Sequence, residues 1–168
     1  PVYGTLSDRI GSRMLATAGM TLLIAAAVVL AGGFGEMGPE GRQLENEMLA
    51  VAKKYNIRLM GPNTSGMLNM HDHLNLVGLK DAPQGDIALL TQSGNMALTL
   101  ITEAKLKSRK GFSYYVGVGN EADIKFHEYL EFFRQDPETK AILMYVEGMR
   151  QGREFLQQAQ KTTLEKPI

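Results

Sequence analysis

Along the 168-residue chain, apolar positions fall into two regimes: short unbroken runs, and longer stretches with apolar residues three and four apart. Unbroken runs bounded by Gly, Pro or Asn fit strands covered on both faces, and the wider spacing fits amphipathic helices. Ala27-Val28-Val29-Leu30-Ala31 reads as the first clear strand and ends in the turn Gly32-Gly33-Phe34-Gly35. Leu44, Met48, Leu49, Val51 and Ala52 then predict a helix over 41–55. Its acids (Glu40, Glu45, Glu47) gather toward the start and Lys53-Lys54 close the end, as the helix dipole prefers. Asn56 is suited to a left-handed cap, and Ile57 to Met60 form a short strand stopped by Gly61-Pro62-Asn63. Residues 64–85 carry no strong period and read as a connection. The pattern then restarts with strands over 86–91, 112–118 and 141–146, and helices over 93–107, 126–135 and 152–162. Lys166-Pro167-Ile168 would open one more strand, so this second unit is expected to be truncated.

Such alternation predicts an α/β fold around parallel strands. Three segments are expected: a first unit over 1–78, a linker over 79–85 and a second unit over 86–168. Met14 to Gly33 holds no charged residue and is long enough to cross a bilayer, but Thr17, Gly19, Thr21 and the closing glycine pair interrupt it. The reading adopted is a short helix running into a buried strand, with no membrane partner. Pro1 to Arg13, with Asp8, Arg9 and Arg13, does not resemble a signal peptide. Basic and acidic residues balance at 18 each, which argues against nucleic acid as the main partner. The lack of cysteine excludes disulfides, thiolate metal sites and a Cys nucleophile, and fits a cytoplasmic location.

In a parallel α/β sheet, ligands bind where strands exit into helix N-termini. Four exits carry candidate chemistry. Ala31-Gly32-Gly33-Phe34 lets backbone approach a ligand closely, and its amides suit a phosphate or a pantetheine amide, although many such turns only reverse the chain. Gly61-Pro62-Asn63 offers a polar side chain at a strand end, or simply a tight turn. Ser93, Gly94 and Asn95 open a helix with free amides and a hydroxyl, a compact anion site that an ordinary Ser N-cap would also explain. Gln92-Ser93-Gly94 lacks the first glycine of a G-x-S-x-G nucleophile elbow, so a hydrolase is rejected. Glu147 beside Gly148 could orient an imidazole, or could be a surface loop acid. Gly117-Val118-Gly119-Asn120-Glu121 closes a neighbouring strand in the same way. His71 and His73 have no third metal ligand and are expected to face solvent, so no metal site is expected.

The order of these segments is more specific than any one of them. The run from Ala27 through Glu36, then Tyr55 through Asn63, Ile87 through Gly94, Gly117 through Asp123, Asp136-Pro137-Glu138-Thr139-Lys140, Tyr145-Val146-Glu147-Gly148 and Lys166-Pro167-Ile168 resembles ADP-forming acetyl-CoA synthetases. More distantly it resembles the α subunit of succinyl-CoA synthetase. The resemblance implies a partial Rossmann-like CoA-binding lobe followed by a flavodoxin-like parallel-sheet lobe. It implies an NDP-forming acyl-CoA synthetase, in which acyl-CoA and phosphate give an acyl phosphate whose phosphoryl group passes to a histidine and then to ADP. By that resemblance Ala31, Gly32, Gly33 and Phe34 contact CoA, with Gly61, Pro62 and Asn63 near its thiol end. Ser93, Gly94 and Asn95 bind the phosphoryl group, and Glu147 fixes the phosphohistidine ring. ADP or ATP with Mg2+ would be carried by an ATP-grasp β subunit or domain, in a homo- or hetero-oligomer. Three departures qualify this: the first glycine-rich turn that grips CoA phosphates is missing, residues 9–26 fit the family poorly, and no residue can stand for the phospho-accepting histidine. Thr64 also stands where the family often has cysteine. By itself the chain is then an incomplete enzyme. The alternative is a non-catalytic acyl-CoA-sensing module, as carried by some protein acetyltransferases.

Overall fold

The computed structural model describes residues 26–77, 81–107 and 110–168. The expected helix before the first strand lies outside them. A two-stranded parallel sheet pairs β1 (Ala26–Val28) with β2 (Arg58–Met60), joined through a short 3-10 turn and helix α1 (Pro39–Lys54). Helix α1 ends where Asn56 adopts φ 56°, with Asn56 N–H on Lys53 O at 3.1 Å and Ile57 N–H on Ala52 O at 2.9 Å. Those paired bonds form a Schellman motif, which satisfies the last helical carbonyls and turns the chain into β2. The first strand was expected to be buried; Ala26 and Ala27 are instead exposed, because β2 is the one strand paired with β1 among the described residues.

The larger sheet has five strands in the order β4–β3–β6–β5–β7. They are β3 (Met67–Asn69), β4 (Leu74–Asn75), β5 (Gln84–Thr91), β6 (Phe112–Gly117) and β7 (Ala141–Tyr145). Strands β5, β6 and β7 run parallel, while β3 lies antiparallel to β6 and to β4. Residues 64–85 are therefore more than a connection: Met67–Asn69 and Leu74–Asn75, read as part of the first unit, hydrogen-bond into the second sheet. His71 is not simply solvent-facing either, since its ring meets Gly85 O at 3.2 Å, Gln84 Nε2 at 3.2 Å and Glu138 at 3.4 Å. Lys166–Ile168 does not form a strand, although Pro167 O accepts the Ile142 N–H at 2.9 Å along the free edge of β7.

Strand alternation divides the core. Ala88, Leu90, Tyr114, Val116 and Ile142 face helix α3 (Phe126–Gln135), whose Phe126, Tyr129, Leu130 and Phe133 recur at i, i+3, i+4 and i+7. Phe155 and Ala159 of helix α4 (Gly152–Thr162) complete that layer. On the other face, Leu68, Leu89 and Tyr115 pack under Ala97 and Ile101 of helix α2 (Gly94–Lys107), joined by Phe112 from beyond a register shift between β5 and β6. The start of α3 is fixed by two carboxylates: Glu128 accepts the Lys125 N–H at 3.0 Å, and buried Glu121 accepts the Phe126 N–H at 3.1 Å.

The open edge of β2 is bonded to the loop that follows β6 and to the start of α3. Arg58 forks between Asp123 (3.1 Å) and Glu128 (2.8 Å), while Asp123 also accepts the Leu59 N–H at 2.7 Å. Ile124 N–H reaches Leu59 O at 3.2 Å, and Ala122 N–H reaches Gly61 O at 3.1 Å. These bonds place the exits of β1 and β2 beside those of the larger sheet.

Candidate functional site

Register decides which loops can meet. Thr91 pairs with Gly117 on one side and Tyr145 on the other, so β5, β6 and β7 finish at one rim. From Gly61, whose bond to Pro62 is cis, the loop after β2 runs along that rim. Pro62 O accepts the Asn120 N–H at 2.9 Å, Gly117 N–H donates to Gly66 O at 2.8 Å, and the Thr64 hydroxyl donates to Gly117 O. Gly119, at φ 63°, is required here: a Cβ would lie 2.2 Å from Pro62 O. Ser65 shares a short hydrogen bond with the Tyr115 hydroxyl, and a Cβ on Gly94 would lie 3.2 Å from Ser65 Cβ. Loops 61–66 and 117–122 thus reach the N-terminus of α2.

The groups expected from sequence to receive an anion, Ser93, Gly94 and Asn95, open α2. Ser93 caps the helix, its Oγ accepting the Met96 N–H at 3.4 Å while its own N–H is held by Thr91 Oγ1 at 2.9 Å. Gly94 and Asn95 are exposed at the first turn, where amides have no intrahelical acceptor. Beside them, Gln92 clamps the β7 exit: its Oε1 accepts the N–H of Glu147 at 2.7 Å and of Gly148 at 3.0 Å. Ser93 and Glu147 therefore lie on the same rim, one residue from a shared clamp. The Glu147 side chain is exposed.

Within Ala31–Phe34, the amides of Gly33 and Phe34 are already taken, which narrows what this turn can offer a ligand. Glu36 Oε1 accepts the N–H of Gly33 at 2.5 Å and of Phe34 at 3.2 Å, and Asn63 N–H is bound to Ala31 O at 2.9 Å. Desolvation opposes ionisation of Glu36, but the hydrogen bonds from Asn120 and from these amides outweigh it and hold the carboxyl below its ordinary range. The exposed, side-chain-free backbone that remains is Gly32 and Gly33, with Asn63 close by.

Three groups tie the loops together, and two of them, Asn120 and Glu121, stand in the strand exit read from sequence, though with no role assigned there. Asn120 donates its amide to Glu36 and to Glu45 Oε2 (3.2 Å), and accepts from Asn63 Nδ2 at 3.3 Å. Glu121 receives the Arg150 N–H at 3.0 Å. Lys125 reaches back to the carbonyls of Glu121 and Ala122; burial pulls its amine below the ordinary range, against the attraction of Glu121. Sequence offers one signal for these groups, the density of polar residues directly after an apolar strand at 119–125. Among the described residues, no group of three or more His, Asp or Glu could hold a metal ion.

In open α/β sheets the rim of strand exits, next to helix N-termini, is where ligands bind. Residues 84–168 match the family described as the succinyl-CoA ligase like flavodoxin domain, and the chain belongs to that family. Over 145 residues it is 37% identical to the acetate–CoA ligase [ADP-forming] II subunit alpha of Pyrococcus furiosus, covering 86% of this chain and 32% of that protein. The corresponding isoenzyme I subunit of the same organism is 40% identical over 141 residues, covering 83% and 30%. Acetyl-coenzyme A synthetase 1 of Ca. Korarchaeum cryptofilum, solved with phosphate and ADP, superposes with a TM-score of 0.80 at 38% identity, covering 85% of this chain and 31% of that one. The resemblance to ADP-forming acyl-CoA synthetases and the α/β architecture read from sequence are thereby borne out. The chain spans about a third of the length of these α subunits.

Proposed function

We propose that this chain is the CoA- and phosphate-binding module of an NDP-forming acyl-CoA synthetase, completed by further α-subunit residues and an ATP-grasp partner that carries ADP or ATP with Mg2+. The observation that carries this reading is the shared rim, on which Gln92 links the α2 N-terminus to Glu147.

Phosphate sits at Gly94 and Asn95, where unpaired amides and the helix dipole favour negative charge and Ser93 adds a hydroxyl. One phosphate oxygen attacks the thioester carbonyl; the C–S bond breaks and CoA leaves as the thiolate. The acyl phosphate then gives its phosphoryl group to a histidine nitrogen as the P–O bond breaks and the carboxylate departs. Glu147 accepts a hydrogen bond from the other ring nitrogen, fixing the tautomer that attacks. From there the phosphoryl group passes to ADP. Along Gly32, Gly33 and Asn63, the neutral pantetheine arm fits better than a phosphate, because Glu36 already places a carboxylate in the amides of Gly33 and Phe34.

The test is incubation of the full-length protein with its partner, γ-labelled ATP and magnesium. Acid-labile, alkali-stable label on a histidine is expected, and Glu147→Gln should slow its appearance by about tenfold or more. No histidine label on the unmutated protein overturns the reading.

A further inference from the structure

Glu45 lies in the second turn of α1, far in sequence from the candidate site, yet its side chain is the most completely enclosed carboxylate at the junction of the two sheets, with 0% of the residue exposed. Oε2 accepts the Gly35 N–H at 3.3 Å and an Asn120 amide proton at 3.2 Å. Oε1 faces Arg150 Nη2 at 2.8 Å. Space is closed around it: a Cβ on Gly35 would lie 2.8 Å from Oε2. One carboxylate therefore touches three loops, namely the glycine turn after β1, the exit of β6 and the exit of β7.

With Glu45 enclosed and Arg150 40% exposed, the pair is a modest source of stability, because desolvating the carboxylate offsets much of the attraction. Its geometric effect is larger. Arg150 is three residues past Glu147; in the segment between them Met149 packs against the core, Gln92 takes the N–H of 147 and 148, and Glu121 takes the N–H of 150. Of these contacts, the Glu45–Arg150 pair is the one that joins the segment to the glycine turn. We infer that Glu45 and Arg150 are positioning residues, setting Glu147 relative to the CoA-side turn so that thioester cleavage and phosphoryl transfer occur in one geometry. This inference rests on the function proposed above.

The experiment uses the full-length protein with its partner, measuring the rate and the final stoichiometry of histidine labelling for Glu45→Gln, Arg150→Leu, Arg150→Lys and the Glu45→Gln/Arg150→Leu pair. Each of the first two should slow labelling by about tenfold or more while the final stoichiometry is kept, since small displacements of reacting groups have effects of that order. The double variant should be no slower than the slower single, and Arg150→Lys should recover part of the rate. Unchanged rates overturn the inference. So does a loss of stoichiometry at an unchanged rate, which would mean a packing role alone. If Glu45→Gln fails to fold, Arg150→Leu carries the test, its side chain being 40% exposed. An unlabelled wild type, by contrast, overturns the proposed function itself.

Discussion

Replacing Gln92 by Met keeps its length and removes the acceptor that two amides share. Glu147 N–H at 2.7 Å and Gly148 N–H at 3.0 Å both lose their partner, and the 3.4 Å bond to Gly119 O goes with them. A protein hydrogen bond contributes about 0.5–1.5 kcal/mol net, so the two short bonds together contribute about 1–3 kcal/mol. Glu147 and Gly148 are exposed, and water can replace the lost acceptor, which places the expected cost at the low end, about 1–1.4 kcal/mol. Hydrogen exchange read by mass spectrometry on a peptide spanning 146–150 should then show these amides exchanging roughly five- to tenfold faster. Peptides from β5 and β6 should be unaltered. In Gln92→Glu, a carboxylate accepts the same two bonds more strongly, so protection should be retained, while the added charge beside Ser93 should weaken phosphate binding. Unchanged exchange of the 146–150 peptide in Gln92→Met, with the fold intact, would refute the clamp.

Gly41→Ala gains helix propensity of about 1 kcal/mol, yet its Cβ would lie 1.9 Å from Phe34 O, so a net loss of stability of about 1–2 kcal/mol is expected in chemical denaturation. A stabilised variant would show that the glycine turn does not rest on α1. Because the Glu36 carboxyl is more acidic in the folded chain than its ordinary 4.5, its contribution is fully present above about pH 4.5 and is lost as pH falls through the lower folded-state value. Carbon-13 NMR of the labelled carboxyl should give a midpoint below 4.5, and a midpoint at or above it would remove Glu36 from the amides of Gly33 and Phe34.

Much of this arrangement was legible in the residues, because burial and periodicity coincide in the long elements. Helices α3 and α4 fall where the apolar spacing puts them, and β5 to β7 follow from unbroken apolar runs closed by glycine. Strands β3 and β4 were not legible. They are three and two residues long and interleaved with Asn, His and Asp; β3 owes its conformation to hydrogen bonds with β6, and β4 to hydrogen bonds with β3. The glycine turn was legible as a turn, but the carboxylate filling its amides was not, since a local glutamate reads equally well as solvent-facing. Contacts such as Glu45 with Arg150, or Gln92 with Glu147, join residues far apart in sequence and leave no periodic trace. They follow from the tertiary placement of helices, strands and loops, which pattern cannot supply.

Strand β3 has a consequence for how such a protein could be divided or recombined. It covers one side of β6 although it is drawn from the stretch of chain that leaves the smaller sheet. A fragment beginning at residue 79 would leave β6 with an uncapped row of amides and carbonyls, open to pairing with another molecule. Cutting before Met67 instead keeps that row covered but severs the peptide that joins it to Gly61–Gly66. Inheritance or engineering that swaps the smaller sheet for another is therefore constrained to bring this short antiparallel ribbon along with the larger one.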